Sequence, residues 1–451
     1  MTRTGGGGEG DGGGRGQARQ AARGMTARDV ARRVLDRVAT GGAWATPALD
    51  GQLARSGLDE RDRRLASELV YGVLRNQSRI DRALAPHADL SRTPPRALTA
   101  LRVAAYQMLF LDRVPDYAAV DDAVRAARAV GGAGVSGFAN AVLRKVAAAR
   151  EPALPDEPRA RLLIEHSLPG WIADELAAVA PDRLGELAAA LAQPAPLVAR
   201  ANLRRTTRDA LIAELTAAGA TARPVDDAPA AIALDGIGDP SRSESFRAGR
   251  WTVQDTGAQR VGLLAAPRAG LRILDACAGV GGKATHLAEL SSDAAAIDAA
   301  DQLPTKLELA AATARRLGLT SIRPVVCDLL DPGAPLAAAY DLIVLDAPCT
   351  GLGVLRRHPD AKWRLQPADV PRLAALQRRL LDAVVPRLAP GGALIYSVCT
   401  FTRAEGPDQV AALVERSGLR LVAEHRTWPP DADAFYVARL ECARIAAIVA
   451  A

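Results

Sequence analysis

The chain has 451 residues, of which 24% are charged and 49% apolar, and its formal net charge is +6. That length predicts two or three domains, and the apolar fraction excludes a disordered chain. No run approaches the roughly 18 uncharged apolar residues that a membrane helix needs, and the first 24 residues lack the apolar segment of a secretory signal. Only five Cys are present, which favours reduced thiols, so we expect a cytoplasmic protein without membrane contact.

Basic residues concentrate in the first third of the chain. The net charge is +2 over residues 1–24, +7 over residues 25–150 and −3 over the remainder. A basic module joined to a near-neutral body indicates either a polyanion contact made by that module or an ordinary solvated surface. Residues 1–24 are Gly-rich and polar, which predicts a disordered tail.

Residues 25–150 predict an all-α bundle. Leu65, Leu69 and Val73 recur at helical spacing, Pro94 and Pro95 start a further helix, and a glycine-rich stretch near residue 132 separates the last two helices. Residues 151–250 predict linker helices and a small α+β insert, because a Pro-rich joint and a helix at 171–192 lead into short strands around a helix at 207–218.

Residues 251–451 alternate between strand and helix patterns, which is typical of a doubly wound α/β domain. Asp275, Asp298, Asp328 and Asp346 end the first four predicted strands, and Cys399 ends the fifth. Ligands of such sheets bind beyond the carboxyl ends of the strands, and a buried carboxylate needs partners. We therefore expect these side chains to meet in one functional cleft.

A glycine-rich turn follows the first of these strands. It consists of Cys277, Ala278, Gly279, Val280, Gly281, Gly282 and Lys283. Glycines let a ligand approach the backbone at the start of a helix, but Ala284 stands where a phosphate-binding GxxxxGK[ST] loop needs a hydroxyl. Asp298 is suited to a ribose and Asp328 to an adenine amino group. Together these features predict a nucleoside-containing cofactor without a long phosphate tail.

Two cysteines carry the strongest chemical signal. Cys349 and Cys399 each follow a predicted strand beside the same cleft, where a thiolate can attack an electrophilic carbon. Cys277 and Cys327 fit small buried apolar positions instead, and Cys442 fits a structural or incidental one. No His or third Cys lies at zinc-ligand spacing, so we expect no metal site.

These motifs resemble those of the RNA cytosine-C5 methyltransferases. DACAGVGGK is similar to their cofactor loop, DAPCTGLGVLRRHPDAKW to their proline–cysteine motif and YSVCT to their second cysteine motif. Residues 25–150, with GLDERDRRLASELVYGVLR, resemble the NusB-type RNA-binding domain. A NusB-like domain, a small insert and a Rossmann-like methyltransferase domain occur in this order in the RsmB (Sun, Fmu) group, which modifies bacterial 16S ribosomal RNA. The resemblance covers nearly all of residues 26–441.

The resemblance implies a reaction in which C5 of a cytosine in 16S rRNA receives a methyl group from S-adenosylmethionine. It makes Cys399 the nucleophile that adds to C6 of the base, and it gives Cys349 the task of resolving the covalent adduct. Asp346 would hydrogen-bond the base near N3 and N4. Lys283 would contact the base or fix the loop, and the target base must leave any stack to reach the cleft.

The same resemblance implies the cofactor ligands. The loop 277–283 would hold S-adenosylmethionine, with Asp298 on the ribose, Asp328 at the adenine and Asp346 as a further ligand. The chain departs from the family in this loop, because Gly279 and Val280 replace the usual Ala-Pro.

The surroundings of the two cysteines differ from the family in smaller ways. Val398 and Thr400 flank Cys399 where Thr and Ser are usual. Four basic residues flank the proline–cysteine motif and fit either RNA-backbone contacts or a solvated loop: Arg356, Arg357, Lys362 and Arg364.

Other functions remain open at this point. A tRNA cytosine-C5 methyltransferase would use the same chemistry, and a non-catalytic RNA-binding ribosome assembly factor would keep only the fold. A dinucleotide oxidoreductase is disfavoured because the G-x-G-x-x-G spacing is missing. We expect a monomer that binds 16S rRNA and no DNA.

Overall fold

The computed structural model describes residues 24–226 and 228–442, which form two compact units. The first unit contains the residues up to Ser167 together with His358–Asp360, and the second contains the rest. The predicted tail lies outside the described residues, apart from Gly24. Among the helices described, none combines the length and the apolar character that crossing a membrane requires.

The described part of the first unit is helical. Its helices are α1 (Ala27–Gly41), α2 (Ala45–Ser56), α3 (Glu60–Arg75), α4 (Gln77–Leu84), α5 (Pro95–Phe110), α6 (Asp116–Ala149) and α7 (Pro158–Glu165). Thr26 caps α1 in a reciprocal arrangement with Asp29, which satisfies two backbone N–H groups at the helix start. The apolar faces of α1, α3 and α5 meet in the core, where Val34, Leu69 and Leu101 are fully buried.

Two features of this unit follow from particular residues. Helix α6 loses helical geometry at Gly131 and Gly132, and the φ of Gly132 is +66°, so the glycine-rich stretch separates two helical segments as predicted. Asp360 accepts a hydrogen bond of 2.9 Å from the backbone N–H of Ala45. This carboxylate therefore serves the start of α2, where Trp44 offers no side-chain cap.

The second unit begins with two helices and a small sheet. The helices α8 (Gly170–Val179) and α9 (Leu184–Leu191) replace the single helix predicted at 171–192, because Pro181 has no N–H to continue α8. The strands β1 (Leu197–Ala201), β2 (Thr221–Pro224), β3 (Ala231–Asp235) and β4 (Trp251–Val253) form an antiparallel sheet in the order β2-β3-β1-β4. Helix α10 (Arg208–Ala217) covers its core, and the short helix α11 (Glu244–Arg247) precedes β4.

A seven-stranded sheet forms the rest of this unit. Its strands are β5 (Arg272–Asp275), β6 (Ala296–Asp301), β7 (Ile322–Val326), β8 (Tyr340–Asp346), β9 (Leu388–Val398), β10 (Arg420–Thr427) and β11 (Phe435–Glu441), in the order β10-β11-β9-β8-β5-β6-β7. The strands β5 to β9 are parallel, whereas β11 runs antiparallel to both β9 and β10. The strand order reverses between β5 and β8, which makes this the switch point of the sheet.

Helices cover both faces of this sheet. They are α12 (Thr256–Ala265), α13 (Gly282–Leu290), α14 (Pro304–Leu317), α15 (Ala361–Arg364), α16 (Asp369–Val384) and α17 (Pro407–Ser417). Alternate residues of β8 point to opposite cores: Leu342 packs with α12, α13 and α14, and Ile343 packs with α16 and α17. The three-layer arrangement confirms the predicted fold class, a helical module followed by a small α+β insert and a Rossmann-like domain.

Candidate active site

The ends of the central strands meet at one cavity of about 450 Å³. Asp346 at the end of β8 and Cys399 directly after β9 line this cavity together with Cys349 and Cys277. The cavity lies at the switch point of the sheet, where open parallel sheets bind their ligands. Its volume is within the range of small-molecule and cofactor sites.

The turn after β5 requires glycine at two positions. Gly279 and Gly281 have φ values of +54° and +81°, a region that side chains disfavour. A Cβ on Gly281 would lie 2.6 Å from the Cβ of Ala310, so no larger residue fits against α14. Val280, which stands where the family has Pro, is 55% exposed and therefore projects away from the packed core.

The predicted end of the second strand is wrong. Strand β6 continues past Asp298 through Ala299 and Ala300, both fully buried, and ends at Asp301. The carboxylate of Asp298 instead accepts hydrogen bonds of 2.7 and 2.8 Å from Arg323 and one of 2.7 Å from the hydroxyl of Tyr340. Partial burial opposes ionisation of Asp298, but these donors lower its pKa below the ordinary value. The negative charge of Asp298 is thus already balanced by Arg323, and Asp298 lies before the end of the strand, which is Asp301.

Asp301 occupies the place that the sequence had assigned to Asp298. It lines the cavity and accepts hydrogen bonds from the backbone N–H groups of Gly279, at 3.0 Å, and Leu303, at 2.9 Å. The ammonium of Lys306 lies 3.9 Å from its carboxylate. A carboxylate at this strand end is suited to the hydroxyls of a ribose. The sequence did not reveal that Asp301 ends the strand, because Ala299 and Ala300 prolong the strand without a strongly apolar pattern.

Asp328 lies two residues beyond the end of β7 and is exposed. Its carboxylate accepts a hydrogen bond of 2.9 Å from the backbone N–H of Leu330, which fixes the local turn. The adjacent Cys327 and Leu329 line the cavity. The assignment of Asp328 to an adenine amino group stays a prediction.

Lys283 and Asp346 form the charged centre of the site. The ammonium of Lys283 lies 2.5 Å from one carboxylate oxygen of Asp346, and the other oxygen accepts a hydrogen bond of 2.7 Å from Ser397. Burial favours the neutral amine, but the attraction of Asp346 and Asp275 raises the pKa of Lys283 above its ordinary value. Lys283 is therefore a cation that holds Asp346 in place at the end of β8.

Asp275, at the end of β5, is fully buried beside this pair. Burial raises its pKa to about 7, and the charge of Asp346 adds to this effect whereas Lys283 opposes it. Asp275 is thus a carboxyl group that changes its protonation state near neutral pH, close to Lys283 and Asp346.

Cys349 and Cys399 lie side by side. Their Sγ atoms are 3.4 Å apart, although 50 positions separate the residues in the chain. The hydrogen bond to Cys399 and burial raise the pKa of the Cys349 thiol well above its ordinary value. The pair therefore disfavours two simultaneous thiolates, and the geometry suits one thiolate that accepts a hydrogen bond from a neighbouring thiol.

The other cysteines have different surroundings. Cys277 lines the cavity, and burial raises the pKa of its thiol, so it is a poor thiolate. Cys327 is only 8% exposed and packs in the apolar core, whereas Cys442 is half-buried at the end of the described residues. No group of three or more His, Cys, Asp or Glu side chains in residues 24–226 and 228–442 is arranged to hold a metal ion.

One residue that sequence reasoning missed is Arg200 on β1. Its side chain is fully buried and donates to the carboxylate of Glu289 through two hydrogen bonds of 2.9 Å. It also donates to the carbonyl of Gly282, at 3.0 Å, and to the hydroxyl of Thr285, at 3.1 Å. Arg200 therefore ties the four-stranded sheet to the first turn of α13, directly after the glycine turn. Only tertiary contacts reveal this, because 82 positions separate Arg200 from Gly282.

The basic residues near the proline–cysteine motif do not form the solvated loop that was one of the two alternatives from the sequence, and the other, an RNA-backbone contact, stays a prediction. All four are buried or half-buried: Arg356, Arg357, Lys362 and Arg364. Arg357 forms ion pairs of 2.5 Å with Asp433 and 2.8 Å with Asp255. Arg356 is 6% exposed and Lys362 is 3% exposed, so both are enclosed by the fold. The solvated-loop alternative is therefore wrong for Arg356, Arg357 and Lys362, because this part of the chain packs against the segment between β10 and β11 instead of facing water.

The cavity has the properties of a nucleoside cofactor site. A glycine turn at a helix start, the carboxylate of Asp301 and the apolar side chains of Leu329, Leu330 and Leu376 surround it. These groups fit S-adenosylmethionine, which combines a ribose, a flat base and a cationic sulfur. The glycine turn after β5 and Asp301 at the end of β6 are the residues that would hold it. Cys349 and Cys399 follow β8 and β9, on the other side of the switch point.

Three family models match the chain. The model described as 16S rRNA methyltransferase RsmB/F matches residues 262–441, and the NusB family model matches residues 25–148. A model described as the ferredoxin-like domain of RsmF/B-like methyltransferases matches residues 168–239.

Whole-chain comparisons agree with these matches. A probable ribosomal RNA small subunit methyltransferase B of Synechocystis sp. is 34% identical over 411 residues, which are 90% of each chain. The corresponding probable methyltransferase of Bacillus subtilis is 32% identical over 413 residues, again 90% of each chain. The crystal structure of PH0851 superposes with a TM-score of 0.80 at 21% identity and covers 93% of this chain and 99% of its own, which shows a shared fold.

Proposed function

Because the chain belongs to the RsmB/F family of ribosomal RNA small-subunit methyltransferases, we propose that it methylates C5 of a cytosine in 16S rRNA with S-adenosylmethionine as the methyl donor. The observation that carries the cytosine-C5 chemistry is the pair of thiols, Cys349 and Cys399, 3.4 Å apart at the edge of the cofactor-sized cavity. Methylation of a nitrogen or a ribose oxygen needs no thiol nucleophile, whereas C5 of cytosine is too weak a nucleophile to react without one.

The cofactor supplies a methyl group on a positively charged sulfur. The chain would hold it through the glycine turn, with Asp301 on the ribose and Asp328 near the base. Arg200 supports the start of α13 behind the turn through its bond to the carbonyl of Gly282. The polar groups that the chain offers on this side belong mostly to the backbone of the glycine turn, which suits recognition by shape.

Cys399 is proposed as the nucleophile. Its thiolate adds to C6 of the cytosine, the electrons of the C5–C6 double bond move to C5, and C5 then takes the methyl group. The position of Cys399 directly after β9, at the cavity edge, supports this role. The target base must be unstacked to enter.

Cys349 is proposed to resolve the adduct. After methyl transfer, C5 carries both a proton and the methyl group, and removal of the proton restores the C5–C6 double bond and expels the Cys399 thiolate. Before the reaction, the hydrogen bond to Cys399 keeps Cys349 protonated. Once the sulfur of Cys399 is bonded to C6, it no longer carries a negative charge beside Cys349. Cys349 can then lose its proton and act as the base.

Asp346 and Lys283 are proposed to stabilise the activated base. Asp346 lies at the end of β8, held by Lys283 at 2.5 Å and by Ser397 at 2.7 Å. A carboxylate fixed in this way accepts a hydrogen bond from the N4 amino group, and the adjacent ammonium offsets negative charge that develops on the ring. Lys283 thus acts by fixing Asp346, a role that differs from the two that the sequence left open, contact with the base and fixing of the loop.

The helical unit is proposed to bind the RNA. It carries an excess of basic over acidic residues, +7 over residues 25–150, and many of its arginines are exposed. Exposed members are Arg33, Arg37, Arg55, Arg61, Arg64, Arg92, Arg96, Arg113, Arg125, Arg128, Arg144 and Arg150. Such residues bind phosphates without reading sequence, so base selection is left to the cavity.

The direct test is to incubate the purified chain with S-adenosylmethionine and either 16S rRNA or bulk tRNA. Digestion followed by mass spectrometry of the nucleosides is expected to give 5-methylcytidine from the rRNA and none from the tRNA. Product only from tRNA would favour the tRNA methyltransferase. Binding of rRNA without any methylated nucleoside, on free rRNA and on small-subunit precursors, would favour the non-catalytic assembly factor.

A further inference from the structure

A buried polar cluster lies next to the two cysteines and has no part in the mechanism above. Its five members are each between 0% and 4% exposed: Thr350, Gln377, Thr400, Thr402 and Glu405. Glu405 is the one acidic member and is fully buried. A buried carboxylate is costly unless its oxygens are hydrogen-bonded, so its partners reveal what it holds.

Glu405 accepts four hydrogen bonds. One carboxylate oxygen accepts from the backbone N–H of Thr350, at 2.8 Å, and from the amide of Gln377, at 3.1 Å. The other accepts from the hydroxyls of Thr350, at 2.6 Å, and Thr402, at 2.9 Å. Two of the four bonds therefore end on Thr350, the residue directly after Cys349.

The cluster continues from Thr350 to the second cysteine. The hydroxyl oxygens of Thr350 and Thr400 are 2.9 Å apart, and Thr400 directly follows Cys399. Because Thr350 gives its hydroxyl proton to Glu405, its oxygen is free to accept only, and the hydroxyl of Thr400 must donate. A directed chain of hydrogen bonds thus runs from Thr400 through Thr350 to Glu405 and joins the loops that carry the two thiols.

Glu405 is itself fixed in the same place. The hydroxyl of Tyr396 on β9 donates to the backbone carbonyl of Glu405 at 2.6 Å. On the other side of the second cysteine, the backbone N–H of Gly353 donates to the carbonyl of Cys399 at 3.0 Å. The main chain of Cys399 and the residue after it are therefore both bonded to the loop of Cys349.

We propose that Glu405 is a positioning residue that holds the loops of Cys349 and Cys399 together and thereby sets the separation of the two thiols. Only an ionised carboxylate at this place can accept from all four donors, since an amide offers acceptors on one oxygen alone. The catalytic consequence rests on the proposed function: the distance between the thiols controls how readily Cys349 resolves the adduct on Cys399.

The test measures the geometry of the thiols without the methylation reaction. Diazenedicarboxamide oxidises two adjacent thiols to a disulfide, and its N=N bond takes up the two hydrogens that the thiols lose. The rate of formation of the Cys349–Cys399 disulfide, followed by mass spectrometry of peptides, reports how well the two Sγ atoms are held in proximity. Alkylation of Cys277, which lines the same cavity, serves as the internal control for access.

Four variants separate positioning from general damage. Thr350→Val removes the bridging hydroxyl, Thr350→Ser keeps it, and Glu405→Gln removes two of the four acceptor contacts. Thr99→Val makes the same change at a hydroxyl that is 5% exposed in the helical unit. Binding of S-adenosylmethionine shows which variants are folded, and Thr350→Val is the milder change should Glu405→Gln fail to fold.

We expect Thr350→Val and Glu405→Gln to slow disulfide formation by about tenfold or more, with cofactor affinity and Cys277 alkylation unchanged. Thr350→Ser restores the rate to within about threefold, and Thr99→Val leaves it unchanged. An unchanged rate in folded Thr350→Val contradicts the proposal, as does an equal loss in Thr350→Ser. The rates decide the positioning role even if the wild-type chain methylates no RNA, so the two proposals can fail separately.

Discussion

The two sides of the cavity are built differently. On the cofactor side, the backbone of the glycine turn and one carboxylate, Asp301, are the main polar features, and the turn depends on left-handed φ values at Gly279 and Gly281. On the cysteine side, most of the contacts involve side chains, as in the pair of Lys283 and Asp346 and in the Glu405 cluster. One side thus has the means to recognise a ligand by shape, and the other has the means to do chemistry. We therefore expect changes on the first side to lower affinity and changes on the second to lower turnover.

The largest effect is expected on the cysteine side. Cys399→Ala removes the nucleophile, and methyl transfer should fall by a factor of about 10⁴ or more, while the affinity for S-adenosylmethionine stays within about twofold of wild type. Single-turnover methylation and calorimetric titration of the cofactor measure the two quantities. Cys442→Ala is the matched control, since Cys442 lies outside the residues lining the cavity. Substantial turnover by Cys399→Ala would remove the distinction between the two sides.

The next effect concerns Asp275, whose pKa is influenced by carboxylates on both sides of the cavity, Asp346 and Asp301. Burial raises its pKa to about 7 from an ordinary 3.8, so the folded chain binds this proton more tightly than the unfolded chain. Stability is therefore lost as the pH rises from about 4 to about 7, by roughly 4 kcal/mol in total, and the loss is complete above pH 7. Asp275→Asn cannot ionise and avoids this loss.

The expected result is that Asp275→Asn gains stability relative to wild type as the pH rises from about 5 to about 8, by on the order of 3 kcal/mol. Urea unfolding at the two pH values measures it. The comparison of the two pH values isolates the titration, because every effect of the substitution that does not depend on the charge of Asp275 is the same at both and cancels. A stability difference that does not change with pH would show that Asp275 ionises as readily in the folded chain as in the unfolded one.

The smallest effects distinguish two carboxylates of one strand. Asp301→Asn should weaken binding of S-adenosylmethionine by roughly 10- to 100-fold, because it removes charge-assisted hydrogen bonds at the cavity. Asp298→Asn should change the affinity by less than about threefold, because Asp298 is bonded to Arg323 and Tyr340. Calorimetric titration of the cofactor into both variants makes the comparison. The reverse order of effects would restore Asp298 as the ribose ligand.

These cases also show how far the sequence could predict the molecule. The strand ends at Asp275 and Asp346 and the loops of Cys349 and Cys399 follow strong apolar runs, so their convergence could be read from the alternation of strands and helices. The end of β6 could not, because Ala299 and Ala300 are compatible with either strand or turn.

Tertiary contacts account for what the sequence concealed. From the sequence, Arg357 fitted either a solvated loop or an RNA-backbone contact, but its ion-pair partners, Asp255 and Asp433, are 102 and 76 positions away. Glu405 likewise finds Thr350 across 55 positions. Charge and spacing along the chain carry no information about such pairs, so the sequence predicts which residues end the strands better than which residues support them.

The measurement that tests the central claim most directly is a denaturing gel of the chain mixed with 16S rRNA and S-adenosylmethionine. Cys349→Ala should methylate the base and then fail to release it, which gives a slowly migrating, protease-sensitive protein–RNA band. Neither wild type nor Cys399→Ala should accumulate that band. A band formed by Cys399→Ala and lost in Cys349→Ala would reverse the roles of the two thiols, and active wild type with no band in either variant would contradict a covalent adduct resolved by Cys349.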